Sequence, residues 1–147
     1  IDQKISISSA ESCTGGLFAQ TLTDIPGISA VYDRGFVTYS NRAKMDELDV
    51  KAETLEKYGA VSEETAAEMA KGLKNVTSSR LCISVTGIAG PDGGTEEKPV
   101  GLVYISAILD DRQVTKEFRI RNINRKWNRN YTLLCMLDLV NRMIDGR

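Results

Sequence analysis

The sequence contains no histidine. Any serine nucleophile must therefore run without the imidazole that usually takes its proton, which leaves lysine, tyrosine or a carboxylate for that task. Cysteine is sparse: Cys13, Cys82 and Cys135 are odd in number and show no CxxC spacing. That pattern argues against a disulfide framework and a thiolate metal site, and it suits a reducing cytosol. Acidic residues show no regular ligand spacing either, so no metal is expected. Nineteen basic side chains face 20 acidic ones, for a net charge of -1, and aromatics make up 6% of the chain. Neither figure suits a nucleic-acid surface or an anionic membrane. No apolar run approaches the roughly 18 residues of a membrane span, and the start lacks a basic-then-apolar secretory pattern. These absences predict one cytoplasmic domain over residues 1–147, long enough to bury roughly 70% of its unfolded surface.

What is present alternates between strand and helix signals. Lys4-Ile5-Ser6-Ile7-Ser8 reads as a strand, with a helix from about Thr14 carrying Leu17, Phe18, Thr21 and Leu22. Gly35–Ser40 reads as a second strand, and Asn41 as the N-cap of a helix through Ala43, Lys44 and Leu48. Helices are predicted over 52–57 and 63–74, the latter capped by Ser62 and buried through Ala66, Ala67, Met69, Ala70 and Leu73. Leu81–Val85 is a strand-length apolar run, Val100–Leu109 and Gln113–Ile120 read as a hairpin, and a last helix spans about 125–143. The order predicts an α/β fold, a mixed β-sheet with helices on both faces in three layers, whose ligands bind at the carboxyl ends of the strands.

Three segments at such strand ends could carry chemistry. Glu11-Ser12-Cys13-Thr14-Gly15-Gly16 places a serine and two glycines where a strand turns into a helix. Free amides there suit an oxyanion or a phosphate, although Ser12 or Thr14 would serve equally as a simple helix cap. Ser12 is favoured as nucleophile over Cys13, whose thiol next to a helix start is the other candidate. Tyr39-Ser40-Asn41-Arg42-Ala43-Lys44 brings a phenol and an amine toward one point, and either could activate Ser12. The loop Thr86–Thr95 has four glycines in ten residues but matches neither a nucleotide-triphosphate loop nor a dinucleotide fingerprint. Its backbone could cradle an anion. Near the end, Arg119, Arg121, Arg125, Lys126 and Arg129 form a basic cluster, with Arg125 or Arg129 a candidate to bind a phosphate.

Ala10–Gly16, Gly35–Asn41, Tyr58-Gly59-Ala60-Val61-Ser62 and Thr86–Thr95 together closely resemble the CinA C-terminal domain family, from about Ser8 to Ile105 and more loosely along the last helix. The resemblance implies a nicotinamide-nucleotide amidase of the pyridine nucleotide cycle, hydrolysing the carboxamide of nicotinamide mononucleotide to nicotinic acid mononucleotide and ammonia without a cofactor. By the same resemblance Ser12, Tyr39 and Lys44 are the catalytic set. Glu11, Thr14, Gly15, Gly16, Thr86, Gly87, Gly90 and Arg125 are the expected substrate contacts, the glycine amides facing the oxyanion. Arg125 stands in Ile123-Asn124-Arg125 where the family has Gly-Asp-Arg. The family's usual first helix and the larger N-terminal domain of many relatives are not in this sequence, so a stand-alone, homo-oligomeric amidase is the expectation. A non-catalytic nucleotide-binding or competence-associated interaction module is the alternative.

Overall fold

The computed structural model describes all 147 residues. In chain order the elements are β1 (Ile7–Glu11), α1 (Leu17–Thr23), a single 3-10 turn (Ile28–Ala30), β2 (Tyr32–Val37), α2 (Asn41–Leu48), α3 (Ala52–Tyr58), α4 (Glu63–Thr77), β3 (Leu81–Gly87), β4 (Leu102–Leu109), β5 (Arg112–Arg119) and α5 (Arg125–Ile144). Five strands form one sheet in the order β2-β1-β3-β4-β5. β1 pairs in parallel with both β2 and β3, whereas β4 and β5 run antiparallel. The expected mixed sheet is therefore present, and its three parallel strands bring their carboxyl ends to one edge.

Helices cover both faces. α4 and α2 lie on one, where Leu48, Met69, Ala70 and Leu73 pack on Ala10, Cys82 and Ile108. α1 and α5 lie on the other, where Phe18, Leu22, Leu133, Met136 and Leu139 pack on Ile83, Val85, Val103 and Ile105. β3 is buried on both sides and divides its residues accordingly. Leu81, Ile83 and Val85 join the larger core, while Ser84 meets α4 and donates from Oγ to Ala66 O at 2.7 Å. Buried at Ala66, Met69, Ala70 and Leu73, α4 shows the helical stripe its sequence predicts.

The boundaries moved where burial overrode local pattern. β1 starts later than predicted and runs through Ser9, Ala10 and Glu11, because pairing on both edges holds small and polar residues extended that have no β-alternation of their own. α1 starts three residues late. Gly16 precedes it at φ 101°, a left-handed backbone that ends the turn before the helix can begin. Ser40, rather than Asn41, caps α2, its Oγ accepting from Ala43 N at 3.0 Å. Ser62 caps α4 in the same way, as predicted.

Candidate active site

Ser12 is the first residue beyond β1, and its amide still donates to Val85 O at 3.1 Å, so the sheet itself fixes the serine backbone. β2 ends at Val37, and the segment Thr38–Ser40 carries the chain into α2, whose first turn delivers Lys44. The two side chains meet. Lys44 Nζ donates to Ser12 Oγ at 3.0 Å, and also to Thr38 O at 2.9 Å and Tyr39 O at 3.3 Å. Lys44 is only 1% exposed and Ser12 7%. Burial lowers the Lys44 pKa from the ordinary lysine range, with the neighbouring Cys13 opposing the shift.

This geometry suits a base. A neutral lysine amine has two hydrogens and one lone pair, and two backbone carbonyls stand ready to take the hydrogens. The lone pair is then left for the Ser12 hydroxyl proton. Tyr39 is placed differently: 58% exposed, its hydroxyl accepts from Arg125 Nη2 at 3.0 Å, and it makes no bond to Ser12. Of the two candidate bases, Lys44 alone touches the nucleophile.

Ser12 and Lys44 open into a cavity of about 290 Å³ lined also by Cys13, Tyr39, Ala60, Val61, the Thr86–Gly90 segment, Asp92, Gly93 and Arg125. Thr86, Gly87, Gly90 and Arg125, four of the residues the resemblance marks, all line this cavity. Arg125 is held in position by Gly90 O, 2.7 Å from Nη1, as well as by Tyr39. Thr86 donates to Ala60 O at 2.8 Å, which ties the loop after β3 to the turn between α3 and α4. Ala60, Val61 and Asp92 were not among the expected contacts. For Ala60 and Val61 the only signal in the sequence is membership of the Tyr58–Ser62 motif, since alanine and valine carry no reactive group.

Four expected substrate contacts, Glu11, Thr14, Gly15 and Gly16, do not line the cavity. Glu11 points beneath the serine turn and caps α1: its carboxylate accepts from Thr14 Oγ1 at 2.6 Å, Phe18 N at 2.9 Å and Ala19 N at 3.1 Å. Glu11 and Thr14 are buried and occupied with each other. The helix-start amides expected to hold an anion are thereby taken by the protein's own carboxylate. Gly15 donates its amide to Ser12 O at 3.0 Å inside the turn, so it is not free for an oxyanion, and Gly16 serves the backbone reversal. The amides of Cys13 and Thr14, by contrast, donate to no protein oxygen.

Cys13 is a poor competitor for the nucleophile's role. Burial pushes its thiol pKa up to about 12, so at neutral pH it stays protonated. Arg129, the other candidate for a phosphate, is instead spent on the backbone, with Nε on Cys13 O at 3.1 Å and Nη2 on Thr14 O at 2.7 Å. No group of three or more cysteine or acidic side chains is arranged to hold a metal.

Fold and site together define a small α/β/α domain with a buried lysine on a serine at the carboxyl edge of its parallel strands. The model of the CinA C-terminal domain matches residues 1–144, and the chain belongs to that family. It is 55% identical over 144 residues to a competence-damage inducible protein of Acetivibrio thermocellus, covering 98% of this chain and 35% of that one. A Clostridium perfringens protein of the same name is 52% identical over 145 residues, with 99% and 35% covered. The chain thus spans about a third of the length of these curated relatives. Among solved structures, competence/damage inducible protein CihA from Agrobacterium tumefaciens superposes with a TM-score of 0.92 at 46% identity, covering 95% of this chain and 85% of that one. The competence damage-inducible protein A (ComA) from Klebsiella pneumoniae gives 0.93 at 31% identity, with 98% and 89% covered.

Proposed function

We propose that this domain hydrolyses the carboxamide of nicotinamide mononucleotide through a serine nucleophile, with Lys44 as its base. The observation that carries the reading is the Lys44 Nζ contact with Ser12 Oγ, made by an amine that burial inclines toward its neutral form. Ser12 Oγ attacks the amide carbon while its proton passes to Lys44. The tetrahedral oxyanion collapses, the C–N bond breaks, and Lys44 returns the proton to the departing ammonia. A water then attacks the ester, its proton again passing through Lys44 to Ser12 Oγ, and nicotinic acid mononucleotide leaves.

The amide of Cys13, which donates to no protein oxygen in the turn directly after Ser12, is the oxyanion donor in this scheme, in place of Gly15 and Gly16. Arg125 and the Thr86–Gly93 loop, which share the cavity with Ser12, bind the ribose phosphate. A cavity of about 290 Å³ lies at the small end of ligand pockets, which suits one pyridine mononucleotide rather than a polymer.

The decisive experiment measures ammonia release from nicotinamide mononucleotide by this chain and by Ser12→Ala, with nicotinamide as control. Release from the nucleotide only, and only with Ser12 present, is expected. An active Ser12→Ala protein would remove the serine mechanism, and nucleotide binding without release by the unaltered chain would leave a binding module instead. Assembly with further copies of the chain belongs to the same reading and is tested by light scattering on the eluting protein.

A further inference from the structure

We propose that Asp92 recognises the sugar of the substrate: its carboxylate accepts from the vicinal 2′ and 3′ hydroxyls and makes the site selective for a ribonucleotide over its deoxy counterparts. This assignment rests on the reading of the cavity as a mononucleotide site. Asp92 is the only carboxylate among the residues that line the cavity with Ser12 and Lys44. It is exposed, so its oxygens are open to whatever enters.

The two cations of the lining are already engaged. Lys44 donates to Ser12 Oγ, Thr38 O and Tyr39 O, and the hydrogen bonds that Arg125 makes go to Gly90 O and Tyr39 Oη. None of the chain's ion pairs includes Asp92. A carboxylate beside the seat of a phosphate opposes binding through like charge unless it makes a favourable contact of its own. Ionised carboxylates and phosphates are both acceptors, so that contact lies with a donor. In nicotinamide mononucleotide the donors are the carboxamide, which reacts at Ser12, and the two ribose hydroxyls. Only the hydroxyls remain for Asp92. Two vicinal hydroxyls match two carboxylate oxygens, the pairing by which an acidic side chain holds the ribose in dinucleotide sites.

The loop holds Asp92 in place from both sides. Gly90 and Gly94 flank it and press against Val100: a Cβ would stand 2.5 Å from Val100 Cγ1 at Gly90 and 2.8 Å from Val100 N at Gly94. Gly90 O, two residues before Asp92, is bound by Arg125 Nη1 at 2.7 Å. The carboxylate is thereby tied to the arginine assigned to the phosphate, which is the neighbour of the ribose in the ligand. Beyond Asp92 the loop closes a turn, with Thr95 N on Lys98 O at 2.8 Å and Lys98 N on Thr95 Oγ1 at 3.0 Å. Lys98 Nζ then donates to Val61 O at 2.8 Å, on a residue of the cavity wall.

The test measures ammonia release from nicotinamide mononucleotide and from its 2′,3′-dideoxy analogue by the unaltered chain, Asp92→Ala and Asp92→Asn. Hydrogen bonds to a charged group are worth about 10–10²-fold, so the unaltered chain should favour the ribonucleotide by about that factor in kcat/KM. Asp92→Ala should lose about the same factor on the ribonucleotide and stay within about threefold on the dideoxy analogue, so that the preference collapses. Asp92→Asn, which keeps one carbonyl acceptor, should fall between. Equal use of both nucleotides by the unaltered chain would overturn the proposal. So would an equal loss on both in Asp92→Ala, the mark of a carboxylate that serves the loop or the pyridinium charge instead. If Asp92→Ala fails to fold, an Asp92→Asn protein that keeps the full preference overturns it equally. Calorimetric titration of both nucleotides into Ser12→Ala, with and without Asp92→Ala, reads the same preference in the absence of turnover. A binding preference that depends on Asp92, in a chain whose unaltered form releases no ammonia, would fail the amidase reading alone and uphold Asp92. An unaltered chain that neither binds nor hydrolyses either nucleotide would remove both.

Discussion

Arg125 Nη2 donates to Tyr39 Oη at 3.0 Å, joining the start of the last helix to the segment that follows β2. The contact gives Tyr39 a task other than taking the serine proton. Tyr39→Phe is expected to raise KM for the nucleotide several-fold by loosening Arg125, with kcat reduced less than about tenfold, whereas Lys44→Met should abolish turnover. Steady-state kinetics of the two variants decide it. A Tyr39→Phe protein as inactive as Lys44→Met would return the tyrosine to the base's role.

The pH profile carries the Lys44 signature. The amine must be neutral to accept a proton, and burial lowers its pKa, so kcat/KM should climb with pH and level off below the range in which an ordinary lysine titrates. Lys44→Arg, which keeps the charge but cannot release its proton, should be inactive at every pH. An ascending limb that persists unchanged in that variant would assign the ionisation to another group.

Cys13 should prove chemically quiet. With its thiol pushed up to about 12 and its side chain buried, alkylating reagents at neutral pH should modify the half-buried Cys135 first and leave turnover intact. Cys13→Ala should keep activity within a few-fold and lose about 1 kcal/mol of stability as a typical core truncation. Peptide mapping after timed alkylation, alongside residual activity, checks both points.

Glu11 should matter to the fold before it matters to the chemistry. Removing its carboxylate leaves the Phe18 and Ala19 amides and the Thr14 hydroxyl without acceptors, so Glu11→Ala is expected to cost about 2–4 kcal/mol. Glu11→Gln, which keeps one carbonyl acceptor, should cost less. Denaturant titration measures the difference, and equal stability in both variants would contradict the capping role.

The layered architecture was legible because it depends on short-range signals, strand-to-helix turns and hydrophobic stripes such as that of α4, and Ser12 and Lys44, singled out as polar residues beyond strand ends, do meet in the structure. What stayed hidden depends on contacts across the chain. Nothing in Glu11-Ser12-Cys13-Thr14 says that Glu11 and Thr14 turn downward to cap α1 while Ser12 faces the cavity, since that follows from β1 extending to Glu11 between two parallel partners. Ala60 and Val61 line the cavity only because the loop after β3 is tied to their turn through Thr86. Arg129 read as a phosphate binder because a surplus of arginines at a helix start hints at an anion, and carbonyl oxygens cannot be seen in a string of side chains.

The site collects residues from the first strand end to the last helix, and α5 supplies both Arg125 and Arg129. Without α5 seated on the sheet, the turn after Ser12 would lose the arginine on its carbonyls and Tyr39 the partner of its hydroxyl, so on the reading proposed above turnover depends on how firmly that one helix is docked.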